Sequence, residues 1–514
     1  MTRAASSITV AAMFLPNRTL YVADNLRVLR GMDSETVDLI ATDPPFNAKR
    51  SFNAPLGSKA ATQRFDDRWR WDEVTDEWHD LLATDHPAIK EVIEAAVVIE
   101  GGQVTDRGIE TGVENSIAAF LAWMAPRVVE MHRILKPTGS LYLHCDDAAN
   151  SYLRLLLDAV FGRSNFRNEI VWKRTAGKGL NPTRYVRNCD RILYYAKGAK
   201  PTWNQQYDPF DPAYGSDWRK DERGPWEDAD LTGGKEGGPE AYKPFRGVTP
   251  SAGRAWAPPP RNKFPPDAGL TDNYESLDAL SKCEALDDAG LIHWPRKAGG
   301  IPRYKKYLST LPGIYASDLI VNIPPVSSRS REHTGWRTQK PLKLYRRIVE
   351  ASTREGDLVM DPFAGCATTC VAAEQLQRRW IGVDIDPVTE TVTLDRLREE
   401  TGLFEAIDGK PVTARKHPPR RSDIQHVTDV KLRVLLWNNQ GRRCANPYCT
   451  SEGLRAEDLD LDHRIPKSRG GADDQSNRIG LCRNCNTRKG AKAWGKFLDE
   501  ARARLPHPKV GGPT

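Results

Sequence analysis

Four short stretches of the chain carry residue types that do chemistry. The first, A-T-D-P-P-F-N (41–47), follows the apolar run V-D-L-I (37–40) and ends a buried strand in a carboxylate, two prolines and a phenylalanine. The prolines remove two backbone donors, so Asp43 and Phe46 are held on a stiffened loop at the carboxyl end of a strand. Open parallel sheets bind ligands at that edge. The second stretch, D-P-F-A-G-C-A-T-T (361–369), ends a strand in Asp361, turns at Gly365 and opens a helix. Asp384 closes the next strand, where an acid takes ribose hydroxyls in doubly wound folds. The turn lacks the G-x-G-x-x-G of pyrophosphate sites, and Ala367 stands at the second glycine position. That favours a nucleoside carrying an amino acid, its carboxylate near the helix N-terminus, over a dinucleotide. An ordinary strand–turn–helix corner with a capping acid is the alternative. The third stretch is a pair of thiol pairs, Cys444 with Cys449 and Cys482 with Cys485. Four cysteinates favour a closed, structural, tetrahedral zinc site. Between them lies the fourth, L-D-H-R-I-P-K-S-R-G-G (461–471).

The elements that must position these residues form an α/β rhythm. Strand, helix and strand read over 19–46, a helix over 118–132, a strand through S-L-Y-L-H-C, a helix over 148–161, and strands at 169–173 and 191–197. The rhythm returns with helix 341–353, strand 357–361, helix 368–378 and strand 380–386. Strands alternating with helices indicate a mostly parallel, doubly wound sheet. Residues 200–318 break the pattern with Pro, Gly, Trp and charge, including P-P-P at 258–260, and read as a loop-rich insertion. The run K-P-V-T-A-R-K-H-P-P-R-R marks a basic linker, 406–430, before a small domain at 431–498 and a basic tail at 499–514.

A chain of 514 residues with 39% hydrophobic and 28% charged residues suggests two or three globular domains. No run reaches the roughly 18 apolar residues of a membrane helix. The first fifteen residues are interrupted by Ser6, Ser7 and Thr9 and read as a ragged start, not a leader. Nine cysteines, five scattered and four clustered, fit a reducing cytoplasm with a metal site better than a disulfide framework. From 411 onward there are 21 Lys+Arg against 11 Asp+Glu, a surplus of ten, while the preceding residues carry −3. A basic tail domain on a near-neutral body points to a polyanionic partner.

D-P-P-F first and D-P-F-A-G-C-A-T-T last, with T-Q-K-P-L (338–342) just before it, resembles the S-adenosylmethionine-dependent DNA amino-methyltransferases, in the order of their beta class. L-K-P-T-G-S-L-Y-L-H-C-D-D (135–147) and F-R-N-E-I-V-W (166–172) extend the resemblance over about 14–400. It implies a target-base half at 14–199, target recognition in the insertion and a cofactor-binding half at 319–405. It implies double-stranded DNA as partner, with no membrane role and a homodimer left open. The family's cofactor contacts fall on Asp24, Lys340, Asp361, Phe363, Gly365 and Asp384. Its catalytic residues fall on Asp43, Pro44 and Phe46: a carboxylate and a carbonyl to accept hydrogen bonds from the amine, and a ring to stack on a base drawn out of the duplex. Adenine N6 fits D-P-P-F better than cytosine N4 by family habit. C-A at 366–367 departs from the commoner S-G.

The C-terminal stretch resembles the HNH nucleases: D-H, then N, then C-N-x-x-K-G, between zinc knuckles. The resemblance makes His463 the general base, Asn477 the residue that orients its loop, and Asp462 with Asn486 the holders of a catalytic Mg²⁺. Arg464, Lys467, Arg469, Arg488 and Lys489 would meet the DNA backbone. The reading is a DNA methyltransferase fused to an endonuclease. The rival is a methyltransferase whose zinc module only binds DNA.

Overall fold

Two of the strands that end in functional residues are apolar along almost their whole length, which in a parallel sheet means cover on both faces. The computed structural model bears this out. It describes residues 17–504 except 47–50, 54–59, 61–63, 83–85, 106–107, 114–115, 176–182, 184, 235–237, 402–410, 424–427, 472 and 474. The ragged start, part of the linker and most of the basic tail lie outside the described residues. Strands β1 (Thr19–Val22), β2 (Val37–Thr42), β3 (Leu135–Cys145), β4 (Phe166–Lys173), β5 (Cys189–Ala196), β6 (Leu319–Ile320), β7 (Leu358–Asp361), β8 (Arg379–Asp384) and β9 (Thr413–Arg415) form one sheet. Their order is β6-β4-β5-β3-β2-β7-β8-β1-β9. Only β5 runs against its neighbours; the other pairings are parallel.

Alternation along the strands feeds two cores. Ile40 and Met360 point to one face, with Val28 and Leu29 of α1 (Asn25–Gly31) and Phe120 of α4 (Ile117–Ile134). α5 (Asn150–Phe161) adds Leu153 there. Leu39 and Val359 point to the other, with Leu344 and Ile348 of α6 (Leu342–Ser352) and Val371 of α7 (Thr368–Gln375). Between β2 and α4 lie α2 (Thr75–Leu82) and α3 (Pro87–Ile99), which the sequence reading left without elements; α8 (Val388–Thr401) follows β8.

Residues 205–317 form a second compact unit. Its core holds Trp226, Trp256, Phe245, Tyr274 and Tyr307 around a four-stranded antiparallel sheet. Trp226 and Trp256 are therefore core residues of the insertion.

The basic stretch expected as a linker is in part structural. β9 pairs with β1 in register Thr19↔Thr413, covering an edge whose N–H and C=O groups would otherwise be unpaired. Farther on, Ser34 N–H donates to Asp423 at 2.9 Å. The C-terminal segment builds α9 (Asp429–Asn439), an antiparallel hairpin of β10 (Leu459–His463) and β11 (Arg478–Cys482), then α10 (Arg483–Lys489) and α11 (Trp494–Arg502). It belongs to the same compact unit as the sheet. Arg469 pairs with Asp76 of α2 at 2.6 Å, His79 meets Asp499 at 2.7 Å, and Arg30 donates to the Arg469 carbonyl at 2.7 Å. No described helix is long and apolar enough to cross a membrane.

Candidate active site

Neighbouring parallel strands β1, β8, β7 and β2 present their carboxyl ends along one edge, and each leads into an acid: Asp24, Asp384, Asp361 and Asp43. A cleft of about 290 Å³ opens there. Its lining brings together Asp24, Asp43, Pro44, Phe46, Lys340, Asp361, Phe363, Gly365 and Asp384, drawn from the two motif loops, the segment before the second, and the ends of β1 and β8. Chain segments more than 300 residues apart in sequence meet because β2 and β7 are adjacent, with Ile40 opposite Met360.

Asp361 is buried and accepts from Thr42 Oγ1 at 2.6 Å, Thr369 Oγ1 at 2.7 Å and Phe363 N at 3.1 Å. Burial pushes its carboxyl up to about 6, against the lowering pull of those donors. Asp384 takes Gly365 N–H at 2.8 Å and Asp386 N–H at 2.9 Å, and burial likewise raises it to about 6. Gly365 turns with φ 52, and a Cβ there would stand 3.1 Å from Trp336 Nε1. The close approach of this turn thus needs glycine on two counts. Ala367, next but one, also holds a left-handed φ of 59 as the N-cap of α7.

Asp24 caps α1 through Arg27 N–H at 3.1 Å and pairs with Arg127 at 3.2 Å. Arg127 is buried, lies over Trp123, and donates to Asn25 Oδ1 at 2.8 Å and Trp123 O at 2.6 Å. Burial lowers its guanidinium to about 10, with Asp24 opposing. Asn25 in turn donates to Pro362 O at 2.9 Å, tying α1 to the second loop. Sequence reasoning missed both residues. An arginine among the apolar positions of α4 was the available signal for Arg127.

Asp43 is split between two fates. Its Oδ2 lies 2.5 Å from Lys340 Nζ, while its Oδ1 is buried with no hydrogen-bond partner among the described residues. Phe46 is fixed by its N–H on Asp67 at 3.1 Å, stacks on His144 with ring centroids 5.8 Å apart, and has Lys340 Nζ 5.0 Å from its ring centroid. His144, also missed, is buried and bonded to Asp190 at 3.2 Å; burial, then Lys340, lowers its imidazole.

With this geometry in view, the DNA methylase family matches residues 37–393. The chain belongs to that family. The type II methyltransferase M.EcaI of Enterobacter cloacae is 31% identical over 278 residues, 52% of this chain and 55% of that protein. The Mod subunit of the type III restriction-modification enzyme StyLTI of Salmonella typhimurium is 25% identical over 396 residues, 72% of this chain and 53% of that one. The chain spans about half the length of the curated relatives it matches. Among solved structures, a DNA modification methylase of Thermus thermophilus complexed with S-adenosyl-L-methionine aligns at 15% identity, covering 75% of this chain and 97% of that one, with a TM-score of 0.33.

This DNA methylase carries a second candidate centre. The Sγ atoms of Cys444, Cys449, Cys482 and Cys485 lie within 4.8 Å of one another, a spacing one metal ion can bridge. His463, on the last residue of β10, has Nε2 2.8 Å from Asp473, which also pairs with Lys467 and Arg478 at 2.6 Å each. These three partners hold the Asp473 carboxyl far below its usual range, against burial. Burial lowers His463, with Asp473 opposing. Asn477 accepts Ile465 N–H at 2.8 Å and donates to Ile465 O at 2.9 Å, which braces the loop after His463.

Asp462 and Asn486 are arranged otherwise than the motif suggests. Asn486 donates to Asp460 at 3.2 Å, whereas Asp462 pairs at 2.8 Å with the fully buried Lys489. Strand alternation puts Asp460 and Asp462 on one face, so α10 meets both. Of the cations expected on the DNA backbone, Lys467, Arg469 and Lys489 are thus engaged within the chain. Residues 444–492 match the HNH endonuclease family.

Proposed function

We propose that this DNA methylase transfers a methyl group from S-adenosylmethionine to an exocyclic amine of double-stranded DNA, adenine N6 in preference to cytosine N4. The observation that carries the reading is the buried Asp43 Oδ1, unpartnered among the described residues, in the cleft that Asp361, Gly365 and Asp384 also line. A buried acceptor left unpaired costs about 1–3 kcal/mol, a cost that an arriving N–H removes. The donor's nucleoside fits the acids at the strand ends: Asp384 and Asp24 for hydroxyl and ring donors, and the Gly365 turn for close backbone approach. When bound, S-adenosylmethionine supplies a methyl group activated on a sulfonium.

The chain's own residues prepare the acceptor. An exocyclic amine is a poor nucleophile because its lone pair is delocalised into the base. Asp43 Oδ1 and the Pro44 carbonyl accept its two N–H bonds and thereby turn the lone pair toward the donor. Phe46, backed by His144, stacks on the extruded base, and catalysis is chiefly positioning. Single-molecule sequencing of DNA from cells expressing the chain reports base and context together. Asp43→Ala should cut modification by about 10²–10³-fold while cofactor binding persists. Unmodified DNA from cells holding folded wild-type protein would refute the reading.

We further propose that residues 444–492, closed by zinc on the four cysteines, cut DNA with His463 as base, so that modification and restriction share one chain. The donor set suits zinc, whose tetrahedral thiolate site would supply folding energy to so small a segment. A Mg²⁺ on Asp462 and Asn486 does not fit this arrangement, because Lys489 already neutralises Asp462. The same ion pair favours the rival reading, a zinc module that only binds DNA. Incubating purified protein and unmethylated plasmid with divalent cation decides. Cleavage lost in His463→Ala supports the nuclease, and intact plasmid supports the binding module.

A further inference from the structure

We infer that Lys340 latches the target-base site until the cofactor arrives: its ammonium holds Asp43 and Phe46, and the cofactor's carboxylate draws it away to release both. The inference rests on the methyltransferase reading above and adds an order of binding to it.

Acids outnumber bases in the cleft. Asp24, Asp43, Asp67, Asp361, Asp384 and Asp386 line it, against Arg127 and Lys340. A ligand bearing its own carboxylate is drawn toward those two cations. Arg127 is spoken for by Asp24, Asn25 and the Trp123 carbonyl. Lys340 is differently placed. Its backbone is anchored beside the second loop, where Thr368 Oγ1 donates to the Lys340 carbonyl at 3.5 Å. Its side chain reaches across to the first loop, with Nζ 2.5 Å from Asp43 Oδ2, 3.4 Å from Thr338 O and 5.0 Å from the Phe46 ring centroid. One flexible ammonium therefore touches both groups that the base must use, from a residue rooted where the cofactor's amino-acid end is expected.

Lysine suits this role because its charge is a point on a four-carbon stem with rotatable donors, unlike a forked guanidinium. The pair is largely withdrawn from water, with side-chain exposures of 9% for Lys340 and 16% for Asp43, so Lys340 gives up Asp43 only in exchange for another carboxylate. Ammonium close to Phe46 also competes with a base for the ring, since cations and bases both seek the π face. Cofactor first and base second follows from the geometry.

Calorimetry on the full chain separates this from a passive ion pair. The probes are S-adenosylhomocysteine, which has the carboxylate, and 5′-methylthioadenosine, which lacks it. Asp43→Asn releases Lys340 and should bind S-adenosylhomocysteine at least about five-fold tighter, as expected for loss of a competing carboxylate, with methylthioadenosine unchanged. Lys340→Met should weaken S-adenosylhomocysteine alone. In the Lys340→Met background, Asp43→Asn should no longer matter, a cycle that a folding defect would not reproduce. Equal or weaker S-adenosylhomocysteine binding by Asp43→Asn, or equal tightening of both probes, overturns the latch while leaving the methyltransferase reading in place. If wild type binds neither probe, that reading falls and takes the latch with it.

Discussion

Asp361 carries a measurable signature of the cleft's burial. Its carboxyl titrates near 6 in the folded chain against an ordinary 3.8, so the folded state keeps a proton that the unfolded chain has released. Stability from this group is present below about pH 4 and is lost as pH rises through 6. The gap of about two pH units corresponds to about 3 kcal/mol. Asp361→Asn cannot ionise and keeps an oxygen for Thr42 or Thr369. Its stability minus that of wild type should therefore climb by about 3 kcal/mol between pH 4 and 7 and then level off. Urea unfolding across that range checks it, and parallel curves would contradict the burial argument. Acids lowered by their partners, such as Asp190 and Asp473, cancel in the difference. The site residues most legible in the sequence were those on punctuated backbone: Asp43 before two prolines, and Asp361 and Gly365 around a turn. Arg127 and His144 were not, because each sits within a regular helix or strand and acquires its role only from partners far away in the chain.

At the level of elements, the corner between β7 and α7 explains why its turn tolerates so little change. Gly365 and Ala367 both adopt positive φ, and Gly365 N–H is spent on Asp384, the acid at the end of the adjacent β8. Gly365→Ala adds about 1–2 kcal/mol of left-handed strain and a methyl 3.1 Å from Trp336 Nε1, on the wall of the cleft. The variant should fold, since the corner is framed by two buried cores, yet bind S-adenosylhomocysteine at least about ten-fold more weakly by calorimetry. Unchanged affinity would mean that the turn is only scaffold. The same scale shows where motif reading stops. Leu459–His463 was legible as a D-H stretch, but which acid meets Asn486 depends on how α10 crosses the hairpin. That crossing gives Asn486 to Asp460 and seats Lys489 on Asp462. Asp473, ten residues after His463, is brought back to it by a loop with no periodic signal.

For the molecule as a whole, the consequential departure from the sequence reading lies at 411–423. Its composition, basic and proline-rich, is that of a tether, yet Thr413–Arg415 extends the sheet and Ser422 and Asp423 bind the Asp33–Ser34 turn. Composition could not reveal this, because a three-residue edge strand is specified by the strand beside it more than by its own side chains. If the stretch were only a tether, a chain ending at 411 and one ending at 423 would behave alike. The pairing predicts otherwise. The shorter chain exposes the outer edge of β1, a row of unpaired backbone groups that invites association with other copies. It should melt a few degrees lower than the longer chain, in keeping with the loss of about 1 kcal/mol or more from a large domain, and should self-associate during size-exclusion chromatography. The longer chain should stay monodisperse and retain S-adenosylhomocysteine binding, since every residue lining the cleft precedes 387. Identical melting and elution of the two would show that β9 adds nothing to the sheet.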